Sequence, residues 1–245
     1  MTARIRHRWV IALATLVVMG ATASLGFWQL SRAAEKQALE DLIEARAQLP
    51  AWDEQALTSG PDLSDGLYRS VRLQGEWVSG ASVFLDNRPM DGRSGFILVM
   101  PLRLQGLEQG MLIQRGWVPR DFNDRTRVPE VATPSGLVTV EGRLAPPPSQ
   151  LFELGPGQPG VIRQNIDLPA YAIETGLALM PASVLQTGPP DAALLRDWPR
   201  FAAGVAKHHG YAFQWFAMCA ATAALYLWFQ LISPRRKRRT DGPAT

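Results

Sequence analysis

The sequence predicts a two-span membrane protein of the α+β class, with a mostly antiparallel β domain held between two transmembrane helices on the outer, periplasmic side. Three observations predict it. Two runs free of formal charge, residues 9–30 and 211–232, lie near the ends of the 245-residue chain, and each is long enough to cross a bilayer as a helix. Basic residues border both on their terminal sides: Arg4, Arg6 and Arg8 before the first, and Arg235, Arg236, Lys237, Arg238 and Arg239 after the second. Lys and Arg favour the cytoplasmic side, so both termini are expected inside and the intervening region outside. Between the runs, short stretches of alternating residue type recur among Gly and Pro turns, the pattern of hairpins and meanders.

The expected division follows from these runs. Residues 1–8 form a cytoplasmic basic tail and 9–31 the first transmembrane helix. Residues 32–207 form a periplasmic β-rich domain with an N-terminal helical extension. Residues 208–232 form the second transmembrane helix and 233–245 a second cytoplasmic basic tail. Ala21-Thr22-Ala23 offers a cleavage-like pattern, but the apolar stretch runs on through Leu25, Phe27 and Leu30, longer than a signal-peptide core, so the segment reads as an anchor. The inner (plasma) membrane is the expected location.

In chain order, Leu39, Leu42 and Ile43 recur at helical spacing among charged residues, so a helix is expected to continue from the first span over residues 32–47, stopped by Pro50. Residues 71–77 alternate with period two and read as a strand. Asp86 to Pro89 and Asp91-Gly92 supply a turn. Residues 95–104 and 111–118 are more continuous apolar strands, expected to pair across the glycines at 106 and 110. Residues 138–143 alternate again, and Pro146-Pro147-Pro148 ends that pattern. Residues 155–160 read as a Pro/Gly loop. Residues 161–165 and 183–187 are the last expected strands, with a short helix or turn near 171–175, and Pro189-Pro190 begins a linker toward the second span.

Composition excludes several function classes. The formal net charge is +3 and the pI about 9.3, but the excess resides in the tails, and between them acidic residues outnumber basic ones. No basic face with interleaved aromatics suggests nucleic acid; the C-terminal cluster reads as an orientation signal and a contact to anionic membrane lipids. Cys219 is the lone cysteine, so no intramolecular disulfide and no CxxC metal site exist; inside an apolar run, it reads as a small packing residue. There is no GxSxG, HExxH, P-loop or GxGxxG motif. No histidine stands between His7 and His208, so the central domain lacks a base for a Ser-His-Asp triad. No catalytic residue is assigned and the protein is not expected to be an enzyme.

If the chain holds a metal or a haem through histidine, the candidates are His208 and His209, at the start of the second apolar run. On a helix they point roughly 100° apart, so they do not both ligate one iron. His208 falls on a stripe with Tyr211, Trp215, Met218 and Thr222, whereas His209 shares a face with Ala212, Phe213, Phe216 and Ala220. Gln29 ends the first span and Gln214 begins the second, with Trp28 and Trp215 beside them. Two readings stay open. One is an interfacial aromatic belt with two polar residues near headgroups. The other is an outer-leaflet site between the helices, with Gly20, Ser24, Ala217 and Ala221 letting them approach. Arg32, Lys36 and Lys207 flank the same level, either snorkelling or pairing with acidic groups of a ligand or lipid.

Several segments in order carry a family resemblance. They are Leu25-Gly26-Phe27-Trp28-Gln29-Leu30 with Arg32 and Glu35-Lys36; Tyr68 through Trp77; Leu85-Asp86-Asn87-Arg88 with Gly92 and Gly95-Phe96; Pro101-Leu102; Arg115-Gly116-Trp117-Val118-Pro119; and a closing His-x-x-Tyr-Ala-x-x-Trp-Phe on His208, Tyr211, Ala212, Trp215 and Phe216. Together they resemble the Surfeit locus protein one family, assembly factors of haem-copper cytochrome c oxidase. Met100 departs from the threonine often found there, and His209 from an aliphatic residue. The resemblance implies a non-enzymatic protein that carries haem a as cargo and assists its insertion into oxidase subunit I, with haem a synthase as a further partner. It implies His208 as the axial ligand to the haem iron, in an environment of Tyr211, Trp215, Trp28, Gln29 and Gln214. A haem-free scaffold that holds nascent subunit I through its β domain and helices is the alternative. A haem-using oxidoreductase is disfavoured, because the first span lacks a second axial histidine.

Within the soluble motifs, Gly75, Gly92, Gly95 and Gly116 read as serving turns, bulges or close strand approach, and Trp77 and Trp117 as packing residues. Arg88 and Arg115 are either buried and paired or directed at the oxidase subunit.

Overall fold

A computed structural model describes residues 2–59, 62–121, 123–124, 126–152, 160–189, 194–199 and 204–233. In chain order the elements are α1 (Thr2–Ala47), α2 (Glu54–Ser59), α3 (Leu63–Gly66), β1 (Ser70–Trp77), β2 (Val83–Leu85), β3 (Gly95–Leu104), β4 (Gly110–Pro119), β5 (Leu137–Ala145), β6 (Ile162–Arg163), α4 (Leu168–Thr175), β7 (Leu179–Gln186) and α5 (Val205–Tyr226), the last continued by a π-helical segment, Leu227–Ile232. The chain divides into two compact units, residues 1–40 with 200–245 and residues 41–199.

The helical stretches over Arg6–Ala47 and Val205–Ile232, which supply most of the described part of the first unit, are long and apolar enough to cross a membrane. Most of their large apolar side chains are exposed, among them Trp9, Leu13, Leu16, Val17, Phe213 and Phe229. Such surfaces are unfavourable in water and suit lipid contact. The expected helical continuation beyond the first apolar run is present, since α1 runs unbroken to Ala47, and Pro50 follows where a helix cannot continue.

The second unit is a β structure whose strands run in the order β1-β5-β7-β4-β3-β2-β6, with β1 also pairing with β3. That extra pairing closes β1, β5, β7, β4 and β3 into a ring, and leaves β2 and β6 as an extension from the outer half of β3. β3 is long enough to serve both partners. Ile97, Leu98 and Val99 pair with β2, whereas Leu102, Arg103 and Leu104 pair with β1. Gly75 permits the closure: a Cβ there would lie 2.3 Å from the Arg103 carbonyl oxygen. Gly142 plays the same part between β5 and β7, where a Cβ would lie 2.4 Å from Val184 Cγ1.

Strand pairing is antiparallel between β1 and β3, β1 and β5, β2 and β3, β3 and β4, and β5 and β7. It is parallel between β2 and β6 and between β4 and β7. The domain expected to be mostly antiparallel is a mixed sheet in which five of these seven pairings are antiparallel. The expected strands at 71–77, 95–104, 111–118 and 138–143 are present, and 95–104 does pair with 111–118. The expected strand at 161–165 shrinks to the two residues of β6, and the one at 183–187 begins earlier, at Leu179. Elements α2, α3 and β2 are additional to those the sequence predicts. Most of the expected loop at 155–160, and the cationic cluster at 235–239, lie outside the described residues.

Alternation in β1 sends Val71 and Leu73 inward and Arg72 and Gln74 outward, and the same period in the other strands fills the ring. Leu73, Leu102, Leu104, Met111, Ile113, Val140, Leu144, Ala182 and Val184 form this core. β4 is buried along nearly its whole length because its other face is also covered. There Leu112 packs with Val83, Leu85, Val99, Ile166 and Tyr171. Helix α4, capped by Asp167 and ended by Gly176 at φ 64°, presents Tyr171 to this second cluster. The Tyr171 hydroxyl donates to the Ala81 carbonyl.

Candidate functional site

The first unit carries the site, and its construction begins with the spacing of small and polar residues along α1. Ala12, Thr15, Met19, Thr22, Gly26, Gln29, Ala33 and Lys36 are buried or half-buried, at alternating steps of three and four. That is the 3.5-residue repeat that keeps one stripe of a helix facing a partner. On α5 the corresponding stripe is Val205, His208, Ala212, Trp215, Cys219, Thr222 and Tyr226, with Phe216 beside it. Contacts between the two helices step in opposite directions. Gln29 meets His208, Phe27 meets Phe216 edge-to-face at 5.2 Å, the Cys219 thiol points at the Met19 carbonyl at 3.6 Å, and Arg8 reaches the Gln230 carbonyl at 3.4 Å. The helices therefore pack antiparallel.

Small residues set how closely they approach. Ala212 is 2 % exposed, and a side chain at Gly26 would run into the Phe216 ring. The Thr22 hydroxyl is satisfied on its own helix, donating to the carbonyls of Val18 and Met19, so it adds no unpaired polar group to the seam. The expected spacers Gly20, Ser24, Ala217 and Ala221 all point outward. The expected His208 stripe is also shifted. His208, Trp215 and Thr222 belong to the seam, but Tyr211 and Met218 face away, and Ala212 and Cys219 take their places. Steps of 3-4-3-4 and 4-3-4-3 from His208 fit one helix equally well. Packing selects the second because alanine and cysteine admit the partner backbone and tyrosine and methionine do not. Ala212 and Phe216, expected on the face of His209, lie in the seam region, while His209 is exposed.

Of the six expected site residues, the structure brings Gln29 and His208 into direct contact and places Trp215 along the same seam. Trp28 and Tyr211, each 52 % exposed, and the exposed Gln214 stand outside it. His208 Nδ1 lies 2.7 Å from Gln29 Oε1. An amide oxygen only accepts, so Nδ1 carries the hydrogen and donates, and a neutral ring in this contact has its lone pair on Nε2. This is the state in which histidine ligates a metal through Nε2. Among the described residues, no three His, Cys, Asp or Glu side chains converge on a metal position. The chemistry available is that of a single oriented imidazole, which suits an iron already held in a macrocycle. Of the flanking cations, Arg32 is paired with Glu35 on its own helix at 2.7 Å, Lys36 is half-buried at the end of the seam, and Lys207 is exposed.

The second unit decides the reading of the two motif arginines: both are buried. Arg88 donates to the carbonyls of Ser149 and Gln164 at 2.8 and 3.0 Å, and its own carbonyl accepts from the Trp117 indole at 2.6 Å. Burial holds its guanidinium below the usual arginine value. Arg115 is the extra residue of a β-bulge, since Leu98 pairs with Gly116 and Val99 with Gln114. The bulge swings its side chain over the Trp77 ring, 4.7 Å from the centroid, where it donates to the Thr133 hydroxyl at 2.9 Å and the Ala132 carbonyl at 3.1 Å. Arg115 also borders an open cavity of about 750 Å³ with Trp77, Val140, Gln186 and Arg196.

A model of the SURF1 family matches residues 16–220. A SURF1-like protein of Rickettsia felis is 29 % identical over 119 residues, which cover 47 % of this chain and 48 % of that protein. One from Rickettsia conorii is 31 % identical over 107 residues, covering 42 % of this chain and 40 % of that protein. A SURF1-like protein of Drosophila melanogaster is 24 % identical over 250 residues, covering 90 % of this chain and 77 % of that protein. The chain thus spans about half the length of the Rickettsia felis relative it matches. Because the family match runs from the first apolar helix through the closed β structure into the second helix, the chain belongs to the SURF1 family.

Proposed function

We propose that this protein is a non-enzymatic assembly factor for haem-copper cytochrome c oxidase, which binds haem a through His208 and assists its insertion into subunit I. The single observation that carries this reading is the His208–Gln29 hydrogen bond. It turns the imidazole of the family's closing motif into an oriented Nε2 donor, at the same end of the helix pair as Trp28 and Trp215. The flanking cations support a plasma-membrane protein with both termini cytoplasmic, so the site faces the outer leaflet. Haem a is cargo in this account, supplied by haem a synthase and passed to subunit I.

The test is the visible spectrum and extracted haem type of the full chain, purified in detergent from cells that make haem a. The expected outcome is a Soret band from haem a that His208→Ala abolishes or shifts while His209→Ala retains it. Equal haem content in His208→Ala and wild type overturns the ligand assignment. Wild-type protein that co-purifies with subunit I but carries no haem instead establishes a haem-free scaffold.

A further inference from the structure

We infer that Gln29 is the positioning residue of this site: its amide oxygen takes the Nδ1 hydrogen of His208, holds the imidazole as the Nδ1–H tautomer, and so makes Nε2 a donor only while the two helices are packed together. The consequence for haem rests on the proposed function; the tautomer assignment does not.

The argument begins with the chemistry of the free side chain. A neutral histidine in water favours hydrogen on Nε2, which leaves the lone pair on Nδ1, the nitrogen crowded by its own backbone. An isolated α5 would present His208 mainly in that form. The Gln29 acceptor, 2.7 Å from Nδ1, reverses the preference. Gln29 stands on the other helix, three residues after Gly26 and four before Ala33 on the packed stripe, so the acceptor is delivered only by docking of α1 against α5. The hydrogen bond lies in the half-buried seam, where competition from water is reduced.

The kind of acceptor also matters. Metal-bound histidines that donate to a carboxylate become more basic and hold the metal more firmly. A neutral amide orients the ring with a weaker electronic push. That is suited to a ligand that must give up its iron. Separating the helices would remove the acceptor and let the hydrogen return to Nε2, so docking and undocking of α1 regulate the donor.

Nitrogen-15 NMR of the apo full chain in detergent tests the tautomer directly, with ring-labelled histidine, a His7→Gln/His209→Gln background, and a pH at which the ring is neutral. Wild type is expected to show a protonated Nδ1 and an unprotonated Nε2, and Gln29→Leu a shift of the majority to Nε2–H. A wild-type ring already protonated on Nε2, or a Gln29→Leu spectrum like wild type, overturns the inference. A second readout uses haem-loaded ferrous protein. Gln29→Glu is expected to raise the iron–histidine stretching frequency and lower the reduction potential, and Gln29→Leu to do the opposite. Shifts in the same direction for both would mean that Gln29 only spaces the helices, and the inference fails. A wild type with the Nδ1–H pattern that never takes up haem overturns the haem reading and leaves the tautomer assignment standing.

Discussion

The Phe216 ring stands where a side chain at Gly26 would be: an added Cβ would lie 2.7 Å from both Cε1 and Cζ. The same ring meets Phe27 edge-to-face, so this pair fixes the separation of the helices three residues from Gln29. Gly26→Leu is expected to force them apart, at about 1–3 kcal/mol for overpacking a close contact. The check is cross-linking of Cys219 to a Met19→Cys partner with a short bis-maleimide. The yield should fall several-fold in Gly26→Leu, and Phe216→Ala should restore part of it by vacating the space. An unchanged yield in Gly26→Leu would show that the contact does not set the spacing.

In the β unit, Arg115 holds the bulge of β4 against the segment at 132–133. Arg115→Ala removes the stacking on Trp77 and the two charge-assisted hydrogen bonds to the exposed 132–133 segment, at about 1–3 kcal/mol in all, because water can take over the freed acceptors. Thermal unfolding followed by tryptophan fluorescence should show a loss of stability. Arg115→Lys should lie between alanine and wild type, because an ammonium keeps the charge but not the planar fork.

Gly75 permits the contact that closes the ring of strands. Gly75→Val places side-chain atoms against the Arg103 carbonyl and is expected to break the β1–β3 pairing while β1 remains joined to β5 along its length. Hydrogen exchange should speed up at residues 75–77 and 102–104 before it does so at 71–74. Uniform protection across β1 would refute this.

The clamp of α4 gives the β unit a signed response to pH. Arg163 donates to both carboxylate oxygens of Glu174, at 2.7 and 2.5 Å, and these bonds hold the Glu174 carboxyl below its ordinary value of 4.5. A depressed folded value means that the contribution is present above pH 4.5 and is lost as pH falls through the lower folded value. Glu174 is half exposed, so the contribution is expected to be about 0.5 kcal/mol. Glu174→Gln should flatten the acid limb of the stability profile by that amount. Burial pushes the Tyr171 phenol above its ordinary value of 10.0. The unfolded chain therefore loses this proton first, and stability should fall as pH rises past 10. Tyr171→Phe should remove that alkaline fall, and if the fall persists another group causes it.

In the helix seam, local sequence sets depth but not phase. The ends of the two charge-free runs placed His208 and Gln29 at the same level, because both stand where an apolar run meets the central domain. Periodicity put Tyr211 on the stripe of His208, whereas packing puts Ala212 there, since both phases repeat every 3.5 residues and only side-chain size separates them. Small residues crowd several faces of α1, with Gly20, Ala21, Ala23 and Ser24 around Thr22, so size by itself did not mark the packed face. β2 escaped notice because its three residues are too few to show a period, and the Arg115 bulge because one extra residue in a continuous apolar strand leaves no mark in its pattern.

By itself the sequence determined the two apolar helices, the strands with clear alternation, the lone cysteine and the one histidine of the closing motif. Those features follow from local composition and from repeats of 2 and 3.6 residues, which each segment carries without reference to any other. Only tertiary structure decided that five strands close into a ring, that Arg115 turns onto Trp77, and that Gln29 meets His208 Nδ1. Each depends on contact between residues distant in the chain, such as Gly75 with Arg103 and Gly26 with Phe216, where the absence of a side chain in one segment acquires its meaning from the atoms of another.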